Sequence, residues 1–451
     1  MEAGKHDRGR SGASIPGRFV AEAGLTVPRT VLIVSPYFPP SNLACVHRAR
    51  HLANHLPAAG WTPIILCVDD RFYEQDPDPL LGSLVSPELE IVRVPALHAR
   101  MTRRFGIGDL SLRAWSALSS RAADLLSARR IDAVLITGSP FYPMLMSRWI
   151  EPKFGVPVVL DFQDPWVSAW GADQKPLSKA GLSHQLALRL EGPALRKARF
   201  VTSVSTRQNE ELAARHSWLD ASRMAALPIG GDPGDLDLLR AMPDIRRSRL
   251  DPAMINLSYV GTALPRSHGL FRVLFKGLAE MRARQPGLAA RLRLHFIGTS
   301  NQANDSETFS ILPLAEAEGV ADLVAEIPRR LAYAEALGLM ARSHGLLLVG
   351  SDEAHYTASK IYPALLTKRP YLSLFHRLSS AHALLAAAGG GIHFSFTDAN
   401  GLAGLPQDIA AGLERLALDP ASLGQPRQDH LEPFSARAIA GSYAAIFDGL
   451  R

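Results

Sequence analysis

Two α/β domains in series, each a doubly wound parallel sheet covered by helices on both faces, are predicted by three observations. Continuous Val/Ile/Leu runs recur along the chain, separated by amphipathic stretches, which is the pattern of buried parallel strands joined by helical crossovers. The alternation stops once, in the polar, proline-containing stretch 230–253, and then restarts. The length, 451 residues, is what two domains require.

Residues 1–27 are rich in Gly, Arg, Ser and Ala without periodicity and read as a flexible tail. TVLIVSP (30–36) opens the first domain as a buried strand. After a Pro-rich turn, Val46, Ala49, Leu52, Ala53 and Leu56 fall on one helical stripe. PIILCV (63–68) and EIVRVP (90–95) follow as strands, and 110–129 reads as one helix through Leu112, Trp115, Leu118, Ala122 and Leu125. DAVLITG (132–138), a helix near 143–153, VPVVLDF (156–162), a long helix near 176–198 and FVTSVS (200–205) complete this half. Beyond the linker come INLSYVG (255–261), a helix near 268–285, LRLHFIG (292–298), a helix near 311–318 and a strand near 320–327. A helix at 332–342, GLLLVG (345–350), a helix from about 359, PYLSLF (370–375) and further helices lead to the end. The expected divisions are a tail at 1–27, a first domain at 28–230, a linker at 231–253, a second domain at 254–430 and a closing helix at 431–451.

Composition narrows the class. With 47% hydrophobic and 20% charged residues, a disordered, collagen-like or coiled-coil protein is excluded. A formal charge of +6 is a mild bias that suits phosphate-bearing ligands or an anionic membrane surface, and no basic stripe interleaved with aromatics points to nucleic acid. Two cysteines, Cys45 and Cys67, are too few for a disulfide framework, so a reducing cytoplasm is expected. No apolar run reaches the 18 or so residues of a membrane span, and the start carries no apolar signal core.

In an open α/β sheet, ligand contacts gather at the carboxyl ends of the strands. Five such loops carry suitable chemistry. SPYFPPSNLACVHRAR (35–50) combines the aromatic turn at Tyr37 with Asn42 as a helix-capping candidate, and places His47, Arg48 and Arg50 either on a solvated face or toward a phosphate. GSPFYPM (138–144) presents Ser139 and Phe141. DFQDPW (161–166) presents Asp161, Gln163, Asp164 and Trp166, the carboxylates suited to base chemistry, to capping or to metal ligation, the last disfavoured because no third carboxylate or histidine lies nearby in sequence. In the second half, YVGTALPRSHG (259–269) offers Gly261, Thr262 and Arg266 for backbone and cationic contact with a diphosphate. GSDEAHYTASKIYPALLTKRP (350–370) opens a helix near Ser359 and Lys360, where backbone amides and an ammonium form a pyrophosphate pocket. A dinucleotide G-x-G-x-x-G, a P-loop, a nucleophile elbow and a zinc helix are all absent from the sequence. The stretch 96–115 mixes four arginines with Met101, Phe105, Ile107, Leu110, Leu112 and Trp115, a composition that can lie on an anionic membrane.

Taken in order, YFPP, GSPFYP, DFQDPW, FVTSVS, PIGGD, YVGT and SKIYPALLTKRP resemble GT-B glycosyltransferases of family four, over about residues 28–430. The likeness is greatest to the bacterial branch with an Asp-Phe-Arg-Asp-Pro-Trp run. It implies two Rossmann-like domains facing across a cleft and sugar transfer from a nucleotide-sugar donor with retention of configuration and no metal or other cofactor. The donor would sit mainly on the second domain and a glycan or lipid-linked acceptor on the first. Gly261 and Thr262 match the family's glycine loop, and Ser359 and Lys360 the start of its nucleotide-binding helix. Asp161, Gln163 and Asp164 match its acidic loop, with Gln163 where the branch usually has Arg. The family's Glu-x7-Glu pair is replaced by His355 and Pro363, leaving Asp352 or Glu353 to substitute for one carboxylate.

The resemblance thus implies catalytic roles for Asp164, His355 and Arg266, and donor contacts from Gly261, Thr262, Arg266, Ser359 and Lys360. The strand-end loops of the first domain add Tyr37, Asn42, Ser139, Phe141, Asp161, Gln163 and Trp166 as expected substrate contacts, on the side where the resemblance places the acceptor. Surface or secreted polysaccharide synthesis at the inner face of the cytoplasmic membrane is the expected setting, with no nucleic-acid partner. Two rival readings remain: a degenerate GT-B protein that binds a nucleotide or glycan and partners a true transferase, and a nucleotide-sugar epimerase.

Overall fold

The computed structural model describes residues 29–241, 250–300, 305–354 and 359–450. Two parallel sheets organise it. The first runs in the order β3-β2-β1-β4-β5-β6-β7, with β1 Arg29–Val34, β2 Trp61–Val68, β3 Glu90–Val94, β4 Ala133–Gly138, β5 Val158–Phe162, β6 Phe200–Ser203 and β7 Met224–Ala226. The second runs β10-β9-β8-β11-β12-β13, with β8 Ile255–Val260, β9 Leu292–Ile297, β10 Val324–Ile327, β11 Gly345–Val349, β12 Tyr371–His376 and β13 Gly391–Phe396. Strand order reverses between β1 and β4 and again between β8 and β11, so each domain has its switch-point crevice where the loops of interest leave the sheet.

The continuous apolar runs become fully buried central strands, as covering both faces of a parallel sheet demands. Leu32, Val34, Val134, Ile136 and Leu160 face one helical layer of the first domain. Val31, Ile33, Leu135 and Val159 face the other. That second layer includes the C-terminal helix Ala436–Gly449, whose Ile439, Tyr443 and Phe447 pack with Trp61 and Leu52, the Phe447 ring lying 5.1 Å from Trp61. Gly231 bridges in parallel to Ser435 at the point where the chain returns.

Several elements differ from the expectation. The helix of 110–129 is two pieces, Leu110–Arg113 and Trp115–Ala128, separated at Ala114, whose backbone leaves the helical region. The stretch after β4 begins as a 3-10 turn, Tyr142–Met146, before the helix Ser147–Phe154. Two edge strands, β7 and β13, went unpredicted: β7 is only the three residues MAA, and β13 reads GIHFSF, interrupted by polar residues and mostly half-buried. The region 230–253 is not a solvated spacer over its described part, since Asp232 and Asp235 are buried. The whole expected tail, 1–27, and 242–249 of the linker lie outside the described residues. No helix among the described residues is long and apolar enough to cross a membrane.

Candidate active site in the interdomain cleft

The second domain contributes a cation to the cleft through a chain of local necessities. β8 ends at Val260, and Gly261 then adopts φ +139°, a backbone conformation that glycine tolerates and L side chains rarely do. A Cβ there would stand 2.8 Å from Lys360 Cδ, so the glycine also makes room for the lysine stem. Lys360 precedes the helix Ile361–Leu366 and lies with its ammonium 4.0 Å from the centroid of the Tyr259 ring, donating to the Tyr259 hydroxyl. The hydroxyl in turn donates to the Thr262 carbonyl at 2.8 Å. Burial pulls the Lys360 pKa down to about 7, and among the described residues no carboxylate pairs with it. The arrangement is a desolvated ammonium, stacked and aimed by an aromatic, beside a glycine-opened loop: a receptor for a polyanion.

Arg266 stands differently. Its guanidinium reaches Asp173 of the first domain at 3.1 Å, Asp352 at 3.4 Å and Glu353 at 3.5 Å. Both candidates for replacing one of the family's missing glutamates, Asp352 and Glu353, are therefore turned onto this arginine, and its charge is already met. His355 lies outside the described residues.

Across the cleft, Gln163 and Asp164 share with Ala44, Cys45, Ser359 and Tyr362 the wall of a cavity of about 60 Å³. Gln163 donates from Nε2 to the Cys45 carbonyl at 3.2 Å, while its Oε1 is buried without a partner. Asp164 is accessible at the cleft mouth, yet the surrounding walls displace enough water to raise its pKa. The Cys45 thiol is pushed up to about 12 by burial, reinforced by the Asp164 charge, and is no nucleophile at neutral pH. A second cavity of about 330 Å³ opens between the domains, lined by Asn42, Asp76, Asp78, Arg329, Arg330 and Glu335 among others. Asn42 Oδ1 is buried there without a partner. Among the described residues no group of three or more His, Cys, Asp or Glu side chains is placed to hold a metal ion.

Other predicted contacts are drawn inward. Asp161 is fully buried: Oδ2 accepts from Arg48 Nε at 3.1 Å, and Oδ1 accepts from Tyr443 at 2.8 Å and Thr202 at 2.9 Å. Both oxygens are spent on holding β5, β6, the first helix and the C-terminal helix together, so an acceptor contact from Asp161 is corrected to a framework role. Arg48 and Arg50, read as solvated or phosphate-facing, are likewise buried. Arg48 also donates to the Pro228 carbonyl at 2.7 Å, and Arg50 grips Asp235 bidentately at 2.6 and 2.7 Å. Phe141 and Trp166 stack on each other, centroids 5.6 Å apart and planes 11° from parallel, and close the core rather than present faces to a ligand. The half-buried Tyr37 packs 5.1 Å from Tyr73, and Ser139 is half-buried beside the Phe141 turn.

Three residues that matter were not singled out from the sequence. Tyr259 was visible only as an aromatic two positions before the glycine. Tyr333 donates its hydroxyl to Asp235 at 2.7 Å and its backbone N–H to Asp78 at 2.6 Å, tying the second domain to the linker and to the first domain. Arg330 follows β10 at its carboxyl end, a signal that could have marked it. Burial lowers its pKa, and it finds no carboxylate partner among the described residues.

The comparisons bear on the fold. Residues 44–230 match the family model of the glycosyl transferase 4-like domain. No curated protein sequence matches the chain significantly. Among solved structures, HepE of Anabaena in complex with UDP and glucose superposes with a TM-score of 0.61 at 13% identity, over 93% of this chain and 100% of that one. Sucrose-phosphate synthase of Thermosynechococcus elongatus gives 0.61 at 16% identity, over 94% and 99%. WaaG, a glycosyltransferase involved in lipopolysaccharide biosynthesis, gives 0.58 at 16%, over 93% and 100%. The chain therefore has the GT-B fold of these glycosyltransferases, and its residues 44–230 match the glycosyl transferase 4-like domain.

Proposed function

We propose that the protein is a retaining glycosyltransferase that moves a hexosyl group from a nucleotide-sugar donor to a glycan or lipid-linked acceptor, without a metal, in the cytoplasmic assembly of a surface or secreted glycan. The observation that carries this reading is Lys360: an ammonium stacked on Tyr259 beside Gly261, next in sequence to Ser359, which shares a cavity wall with Gln163 and Asp164. The fold and the neighbour solved with UDP and glucose make a uridine diphosphate sugar the first donor to test.

In this reading the glycosidic C–O bond to the diphosphate breaks with its electron pair going to the phosphate oxygen, and the Lys360 ammonium, with the Thr262 backbone N–H, stabilises that charge as it develops, the Gly261 N–H being already donated to Ile297. The acceptor hydroxyl attacks the same face of the sugar and gives its proton to the departing phosphate oxygen, so no protein nucleophile is required. Asp164, kept partly desolvated, orients the hydroxyls of the sugar or acceptor. Arg266 joins the phosphate site only on leaving these acids: opening of the domains would part it from Asp173, and the loop carrying Asp352 and Glu353 has to shift within the second domain. A nucleotide sugar needs a pocket of roughly 300 Å³ or more, so the 60 Å³ cavity beside Ser359 has to widen on binding.

Thermal shift with UDP-, GDP-, ADP-, CMP- and dTDP-sugars tests donor binding, since ligand at 100 times its Kd stabilises by about 2.7 kcal/mol. Sugar transfer to an added acceptor then tests the reaction. A second reading, a binding protein without turnover, is favoured by the three carboxylates on Arg266 and by Pro363 in place of a glutamate. Nucleotide binding without transfer or donor hydrolysis would select it.

A further inference from the structure

The first domain carries an apolar, cationic face that the cleft chemistry does not use. Two segments form it. The turn Leu97–Gly108 exposes Met101 and Phe105, the latter 83% accessible, and the stretch leading into helix Lys179–Leu195 exposes Leu177 at 89%, followed by Leu182 and Leu186. Leu182 and Leu186 fall on one stripe of that helix with Lys179 and Arg189, while Ala187, Glu191 and Ala194 face inward. The segments are neighbours: a Cβ at Gly108 would lie 3.9 Å from both Arg103 Nε and Lys179 Nζ.

Charge on this face is one-sided. Arg100, Arg103, Arg104, Lys175, Lys179 and Arg189 belong to it, and no Asp or Glu occurs in 97–108 or 174–190. The nearest acids do not balance it: Glu74 offsets one of these cations, Arg103, at 2.7 Å, while Asp109 caps the Leu112 N–H at 3.0 Å and Asp173 meets Arg266. Water gains nothing from so much unpaired apolar surface, and a monomer rarely exposes a patch of this kind without a use. The surface is a projecting turn beside a helix stripe, not a groove that would receive a helix or strand. Aromatic and leucine tips among arginines and lysines match the interface of a bilayer whose headgroups are anionic.

We propose that this face docks the protein on an anionic bilayer, with Phe105, Leu177, Leu182 and Leu186 entering the headgroup boundary and the cations held by lipid phosphates. Asp173 follows the short helix Ala169–Ala172, just ahead of Leu177, and touches Arg266 of the second domain, so the docked face adjoins the cleft. A lipid-linked acceptor could then enter the cleft from the membrane side without leaving the bilayer. That last clause rests on the transferase reading; the docking itself does not.

Flotation of the full chain with vesicles separates the two. Vesicles of phosphatidylcholine with roughly a third phosphatidylglycerol should carry the protein and pure phosphatidylcholine should not, with release near 1 M salt as screening shortens to about 3 Å. Leu182→Glu with Leu186→Glu, and separately Phe105→Ser, should weaken binding at least tenfold while leaving melting temperature and any nucleotide-sugar shift unchanged. Absence of binding to the anionic vesicles, or binding indifferent to both sets of substitutions, overturns the proposal. So does concentration-dependent self-association that these substitutions abolish, which would make the face a dimer interface. Failure of nucleotide-sugar binding with vesicle binding intact would instead strike the transferase reading alone.

Discussion

The buried cations of the first domain and the cleft cation of the second have opposite surroundings, and the contrast separates framework from chemistry. Arg48 and Arg50 are withdrawn from water but each meets a carboxylate, Asp161 or Asp235, with the remaining donors of Arg48 satisfied by carbonyl oxygens. Lys360 is desolvated as well, but it leans on a tyrosine and has no carboxylate among the described residues. A buried charge with a fixed partner has no spare attraction for a ligand, and removing one partner leaves the other stranded. A desolvated charge without a counter-ion is unstable until an anion arrives, which is the property a diphosphate site needs.

The largest effect should come from breaking the framework. Asp161→Ala strands the Arg48 guanidinium and removes the acceptor shared by Thr202 and Tyr443, so unfolding free energy should fall by about 3–5 kcal/mol in a denaturant titration. A loss under about 1 kcal/mol would show that the network is not what joins the C-terminal helix to the first sheet. Lys360→Ala should do the reverse. Stability should hold or rise, because a desolvated ammonium is gone, while turnover drops at least tenfold, about 1.4 kcal/mol of transition-state binding. An unchanged rate would remove Lys360 from the site.

The comparison can be sharpened with pH. The Lys360 pKa is lowered to about 7, so below pH 7 the free protein carries the ammonium and above it the proton must be taken up on binding. Affinity for a nucleotide sugar, whose diphosphate does not titrate in this range, should therefore be constant below pH 7. It should fall up to tenfold per unit above that, until the higher pKa of the complex is passed. Calorimetry from pH 6 to 9 would show this slope in the native protein and its loss in Lys360→Met; a flat native profile would mean that the ammonium does not meet the phosphates.

The strands were legible wherever burial on both faces demanded continuous Val, Ile and Leu, as in β1, β4, β5 and β11. Edge strands β7 and β13 were not: β7 is too short at three residues to show a pattern, and at β13 the half-buried edge lets His and Ser interrupt the apolar run. The loops at the carboxyl ends were also legible, since sheet topology places ligands there. Which side chains of a loop face the cleft was not. Arg48 lies 113 residues from Asp161, and Arg50 lies 185 from Asp235, so helical periodicity could locate these arginines on a helix but not reveal that they point at distant acids. Phe141 and Trp166 pair for the same reason, through tertiary contact that no local window contains.

The smallest predicted effect probes where the two regions meet. Tyr443 belongs to the C-terminal helix, yet its hydroxyl donates to Asp161 and lies 2.9 Å from Thr202 Oγ1, while its ring lies 5.3 Å from the Arg48 guanidinium. Tyr443→Phe keeps the ring, the packing against Phe447 and the cation–π contact, and removes only the hydroxyl. Asp161 retains Arg48 and Thr202, so no charge is stranded, and the expected cost is one hydrogen bond, about 1 kcal/mol. The site should be untouched: nucleotide-sugar affinity and its pH slope should match the native protein. If turnover falls more than stability requires, the C-terminal helix is coupled to domain closure, and the framework would be part of the chemistry after all.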